Sequence, residues 1–160
     1  MSREETFDRD LVRQEALEAE LRHLSRKVAA DMRDEGLSAR TITVKLKDNT
    51  FVSRTISRTL PEPAESDRGI TDVALALLVE LRARHRKPAR LVGVALSNFA
   101  SARDAEQLGL LEQPRATESA RDRDLSRAMD RVRAEFGDTA IRTGVARRTP
   151  VGEKGARKPR

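Results

Sequence analysis

Residues 41–59 bring together side chains suited to one recognisable chemistry. Thr41, Thr43, Lys45 and Lys47 stand at every second position, and Ser53, Thr55, Ser57 and Thr59 repeat the pattern after a short break. Alternate residues of an extended strand share a face, so each set forms a row of hydroxyl and ammonium groups. Such groups, with nearby backbone N–H donors, hold phosphate oxygens. Arg40, Arg54, Arg58 and Arg90 lie close by, and residues 38–59 carry five basic side chains against one acidic. The plainer alternative is a solvated antiparallel sheet whose wet side is made of β-formers. RNA-binding sheets stack bases on aromatic side chains, and neither row contains one. The expectation is therefore backbone tracking, with duplex favoured over single strand.

A second peptide with a chemical reading is Gln107-Leu108-Gly109-Leu110-Leu111. Glutamine followed by closely spaced leucines in a polar stretch suits an extended peptide entering an apolar pocket on a partner. Packing of Leu108, Leu110 and Leu111 back onto the domain explains it equally well. Catalysis finds little support. His23 and His85 fall on different helical stretches in charged surroundings, the glycines are isolated rather than grouped in a phosphate loop, and no nucleophile has a partner. No cofactor or metal is expected.

The elements that must position these rows can be read from periodicity. Thr6–Arg9 suits a short first strand. Leu17, Leu21, Leu24, Val28 and Met32 recur at helical spacing between Val12 and Glu35, with Gly36 as the stop. Ser38–Asp48 alternates with period two, Ile42, Val44 and Leu46 on one side. A turn at Asp48-Asn49 leads to a second run from Phe51 to Leu60, ended by Pro61 and Pro63. Ile70, Val73, Ala74, Leu77, Leu78 and Leu81 mark a second helix, capped near Ser66 or Asp67 and closed before Pro88. Leu91–Leu96, with Gly93 inside, reads as a buried strand. The order is the α+β, ferredoxin-like βαββαβ arrangement: a four-stranded antiparallel sheet with two helices on one face. Strict alternation puts Arg54 and Arg58 on the helix side, where unpaired guanidinium groups are costly. Either a bulge shifts the register, or both lie at the sheet edge and bend outward.

Four regions follow: a binding domain at 1–100, a linker with the Gln107–Leu111 peptide at 101–120, a short helical extension at 121–142, and a basic tail at 143–160. Leu125, Met129, Val132 and Phe136, closed by Gly137, give the extension one apolar stripe, which either docks or frays. The tail's Gly, Pro, Lys and Arg content predicts disorder. The net charge of +6 resides in residues 142–160, which leaves the first 141 near neutral. The absence of Cys excludes disulfides and thiolate metal sites. No apolar run is long enough for a membrane span and no signal pattern opens the chain, so a soluble intracellular protein is expected.

Four segments carry a resemblance. Glu4–Leu11, Ala39–Lys47, Ser57–Pro63 and Arg90–Phe99 are similar, in register and order, to the strands of the little-finger domain of Y-family (translesion) DNA polymerases of the bacterial DNA polymerase IV type. Arg121–Gly144 also resembles a C-terminal extension carried by some of them. The resemblance implies that the open sheet face lies in the major groove of primer–template duplex. The DNA contacts it implies are Arg40, Thr41, Thr43, Lys45, Ser57, Arg58, Thr59 and Arg90. Leu91 and Ala95 stand where some relatives have arginine. It implies a sliding-clamp contact through Gln107, Leu108, Leu110 and Leu111, the last often Phe in the family. Palm, fingers and thumb are not in this sequence, so no polymerase activity is implied for the chain alone. The implied setting is the cytoplasm, at the nucleoid, without oligomerisation. A free-standing adaptor, or a ferredoxin-like protein- or RNA-binding domain sharing only topology, stands as the alternative.

Overall fold

The computed structural model describes residues 1–101, 118–137 and 139–141. Along the chain these form β1 (Ser2–Leu11), α1 (Gln14–Asp34), β2 (Leu37–Asp48), β3 (Ser53–Ala64), α2 (Asp67–Arg84), β4 (Ala89–Ser101) and α3 (Ala120–Phe136). The leucine stripe of α1 is wholly buried, together with Ala29 and Ser25. The chain then reverses at Gly36, whose φ of 68° lies in the left-handed region that a side chain disfavours. Ser66 caps α2 by accepting the Gly69 N–H at 3.0 Å. Ile70, Ala74, Leu77, Leu78 and Leu81 turn inward from that helix.

The sheet order is β1-β4-β2-β3, every neighbouring pair antiparallel. Each strand–helix–strand unit is thus split by a strand of the other unit, as the βαββαβ reading requires. Ile42, Val44 and Leu46 of β2 and Val92, Val94 and Leu96 of β4 meet the helices, all nearly or fully buried. Burial of each such side chain contributes roughly 1.5–3 kcal/mol. This core fixes the pleat, and beyond the register shift at the buried Ala39 the pleat sends Thr41, Thr43, Lys45 and Lys47 of β2 to the opposite face. Among the described residues no helix packs on that face.

Two expectations change. The first and last strands in the chain are longer than the apolar runs suggest, since β1 and β4 extend well beyond Thr6–Arg9 and Leu91–Leu96. Pro61 and Pro63 do not end β3, which continues to Ala64. β3 is an edge strand, where a missing N–H leaves no ladder bond broken. From Thr41↔Thr59 to Ala39↔Ala64 the pairing also advances two residues on β2 against five on β3, so the prolines occupy a bulged segment.

The extension helix docks, through part of its apolar stripe together with polar contacts. Met129 is buried, but Leu125 and Phe136 are 54% and 67% exposed. Polar groups complete the junction. Arg33 of α1 donates to Asp130 at 2.7 Å, to Asp67 at 2.8 Å and to the Glu65 carbonyl at 2.6 Å. Burial works against the Arg33 charge, but Asp130 and Asp67 outweigh it and hold the guanidinium above its ordinary pKa. Just ahead of α3, the buried Glu118 carboxylate accepts the Glu65 and Ser66 N–H groups. Ser126 accepts the Asp67 N–H at 2.9 Å. The N-terminus of α2 is therefore covered by groups from a segment some fifty to sixty residues further along the chain.

Candidate nucleic-acid interface

Cross-strand register assembles the open face row by row. Thr59, Thr41 and Ser97 form one row; Ser57, Thr43, Ala95 and Ser2 the next; then Thr55, Lys45, Gly93 and Glu4; then Ser53, Lys47, Leu91 and Thr6. The hydroxyl pairs touch: Thr41 Oγ1 and Thr59 Oγ1 are 3.0 Å apart, and Thr43 Oγ1 and Ser57 Oγ 2.8 Å. In each pair one hydroxyl donates to the other, which leaves one O–H per pair free to donate outward. Six expected residues (Thr41, Thr43, Lys45, Ser57, Thr59 and Arg90) come together on or beside this surface, five of them in these rows.

Arg90 reaches it indirectly. The β2–β4 register shifts between Lys47↔Leu91 and Asp48↔Ala89, which leaves Arg90 in the bulge. Its guanidinium lies 5.2 Å from the centre of the Phe51 ring, as does Lys47 Nζ, and 3.7 Å from Asp10 Oδ1. Arg40 sits half-buried at the irregularity between Ala39 and Thr41.

Arg58 lies apart from these rows. Register is continuous from Ser53 to Thr59, so no bulge rotates it, and it pairs with Ile42 on the helix side. There it leans out over the edge, 3.8 Å from Glu80 of α2. Arg54 behaves alike, donating to Asp48 at 2.8 Å. Of the two placements open to these arginines, the edge is the one adopted.

Two features of the face escape periodicity. Lys45 Nζ donates to both carboxylate oxygens of Glu4, at 3.0 and 3.1 Å, across the intervening strand β4. Gly93 makes that crossing possible: a Cβ there would stand 2.6 Å from Glu4 Cγ. The second is Phe51, 62% exposed at the β2–β3 turn and adjoining the Lys47 row. The aromatic absent from both rows is supplied by the turn beside them. Alternation in Ser2, Glu4 and Thr6 was a usable signal for the first; nothing local marks the second. Gln107, Leu108, Leu110 and Leu111, and the 143–160 tail, lie outside the described residues.

Among the described residues no cluster of three His, Cys, Asp or Glu could hold a metal ion. No described helix is long and apolar enough to cross a membrane.

A split βαββαβ sheet with one polar face that no described helix covers defines the class: a small α+β domain. The chain's first 110 residues match the impB/mucB/samB family C-terminal domain. The chain belongs to that family, as the little-finger domain of Y-family DNA polymerases. It is 38% identical over 148 residues to DNA polymerase IV of Caulobacter vibrioides, covering 91% of this chain and 34% of that protein. With DNA polymerase IV of Dehalococcoides mccartyi strain CBDB1 the identity is 31% over 144 residues, covering 90% and 35%. The chain thus spans about a third of the length of the curated relatives it matches. Among solved structures, an insertion ternary complex of Dbh DNA polymerase aligns with a TM-score of 0.56 at 20% identity, covering 62% of this chain and 28% of that one. DinB from Sulfolobus solfataricus gives 0.55 at 20%, with the same coverage. These two likenesses concern the fold.

Proposed function

We propose that the open face binds the backbone of primer–template duplex DNA on behalf of a translesion polymerase of the DNA polymerase IV type. The observation that carries this reading is the polar array of Thr41, Thr43, Ser57, Thr59, Lys45 and Lys47 on one side of a sheet whose described helices lie on the other. Family membership supports it, since the matched domain is the C-terminal one of the family. Synthesis belongs, in this reading, to the two-thirds of the relatives that the chain does not match. Arg58 is left out of the contact set because it faces α2. With no aromatic on the rows, the face reads backbone shape rather than base identity. Tethering to a sliding clamp through Gln107, Leu108, Leu110 and Leu111 is part of the same proposal, as is residence in the cytoplasm at the nucleoid. Each buried leucine would contribute roughly 1.5–3 kcal/mol, much of it offset by association, so clamp and DNA contacts reinforce each other.

The test is duplex affinity of a Thr41→Val, Thr43→Val, Lys45→Ala triple variant. A loss of about tenfold or more is expected, and a log–log salt slope shallower by about 0.9 for the one ammonium removed. Unchanged duplex affinity would favour the protein-interaction alternative. For the clamp, pulldown with alanine at Gln107, Leu110 and Leu111 should lose binding; retention would eliminate the peptide.

A further inference from the structure

The turn between β2 and β3 is built with unusual firmness for an exposed tip. The Asp48 carboxylate is buried and accepts the Thr50 N–H at 2.9 Å, the Thr50 hydroxyl at 2.7 Å and the Val52 N–H at 3.0 Å through Oδ1. Its other oxygen takes Arg54. The Asn49 N–H donates to the Pro88 carbonyl at 3.0 Å, and Lys87 reaches the Thr50 hydroxyl at 3.3 Å, tying the tip to the approach of β4. All of this holds Phe51 at a φ of 64°. A bulky aromatic occupies the left-handed region rarely, because its Cβ crowds the backbone. Glycine or asparagine would close the same turn without strain. Strain of this kind gathers where a side chain must be presented.

What is presented is an exposed ring with Val52, 44% exposed, beside it. Lys47 and Arg90 lie over it, Lys87 bonds the Thr50 hydroxyl of the same turn, and of the flanking arginines Arg90 is paired with Asp10 and Arg54 with Asp48. An apolar protein pocket would have to desolvate these cations. An unpaired nucleobase would not, since it offers a π face to the ring and phosphates on either side to the cations. The ring also continues the open face at its Lys47 row. We infer that Phe51 stacks on an unpaired base of a single-stranded segment adjoining the duplex on the open face. The inference rests on the duplex reading for its position, and on the tip for its chemistry.

The sequence has no tryptophan, so Phe51→Trp supplies a single emission probe. Phe51→Gly removes the ring while tolerating the left-handed backbone. Both full-length variants and the wild type are titrated with a blunt duplex and with the same duplex carrying a single-stranded arm. The expected result is a loss of about tenfold for Phe51→Gly on the armed duplex, with blunt-duplex affinity within twofold. Phe51→Trp retains armed-duplex affinity, and its emission is quenched only when the arm is present. Equal losses on both substrates, no loss on either, or quenching independent of the arm would overturn the inference. Quenching by single strand without any blunt-duplex binding would uphold the stacking and dismiss the duplex reading. No binding of either substrate would dismiss both.

Discussion

Replacing Arg33 by methionine tests the polar junction that holds α3. The substitution keeps an unbranched stem and removes three donated hydrogen bonds, to Asp130, Asp67 and the Glu65 carbonyl. The Arg33 side chain is 5% exposed, whereas those of Asp67 and Asp130 are 12% and 26% exposed. Removing one partner of a fully buried pair typically costs about 3–5 kcal/mol. Here both carboxylates keep Arg133, at 3.9 and 3.4 Å, and both reach some water, so roughly 2–4 kcal/mol is expected. For a folded body of this size that corresponds to a melting temperature lower by about 8–15 °C. Thermal unfolding followed by circular dichroism measures it. Asp130→Asn separates the α3 share, because Asp130 is the only one of the three acceptors on that helix. A double-mutant cycle should show coupling of about 1 kcal/mol or more between Arg33 and Asp130. Additive effects, or a melting shift under about 2 °C, would refute the claim that this ion pair fastens the helix.

Glu4→Gln releases Lys45 from its carboxylate, so duplex affinity should rise about threefold or more and the salt slope steepen by up to about 0.9; unchanged binding would show that Glu4 does not compete with phosphate. The Asp48 carboxyl is held well below the usual range, by the Thr50 hydroxyl first, against burial, with help from Arg54 and the Val52 and Thr50 amides. A depressed carboxyl stabilises above its unfolded pKa of about 3.9 and loses that contribution as pH falls through the folded value. Denaturant unfolding at pH 5 and pH 3 should therefore show a steeper decline for wild type than for Asp48→Asn. Ser25 Oγ is fully buried without a hydrogen-bond partner among the described residues, so Ser25→Ala should raise stability by about 0.5–1 kcal/mol in the same assay.

Periodicity reveals in this chain whatever one element decides for itself. The α1 stripe from Leu17 to Met32 and the inward set Ile42, Val44 and Leu46 are buried as their spacing requires. The polar rows of the open face are the other half of the same alternation. What periodicity misses depends on distant partners. The Glu4–Lys45 bridge joins residues 41 apart and needs a glycine on a third strand. The α3 stripe misleads in part because Ser126 and Asp130, between its apolar members, share the contact with α1 and α2. Arg58 was ambiguous because alternation gives its side of the sheet but not its place at the edge, where a guanidinium can reach solvent. The exposure of Phe51 follows from a backbone conformation that no propensity would assign to phenylalanine.

The bulged run through Pro61 and Pro63 has a consequence for the outer rim of the sheet. A bare rim invites a strand from a second molecule to extend the ladder, the usual route to stacking of β-proteins. Two imides in three residues interrupt the donors such a strand would need, and the bulge bends the rim away from a straight template. Exchanging both prolines for valine should turn this margin into a sticky one, with turbidity rising on concentration while the fold itself is preserved.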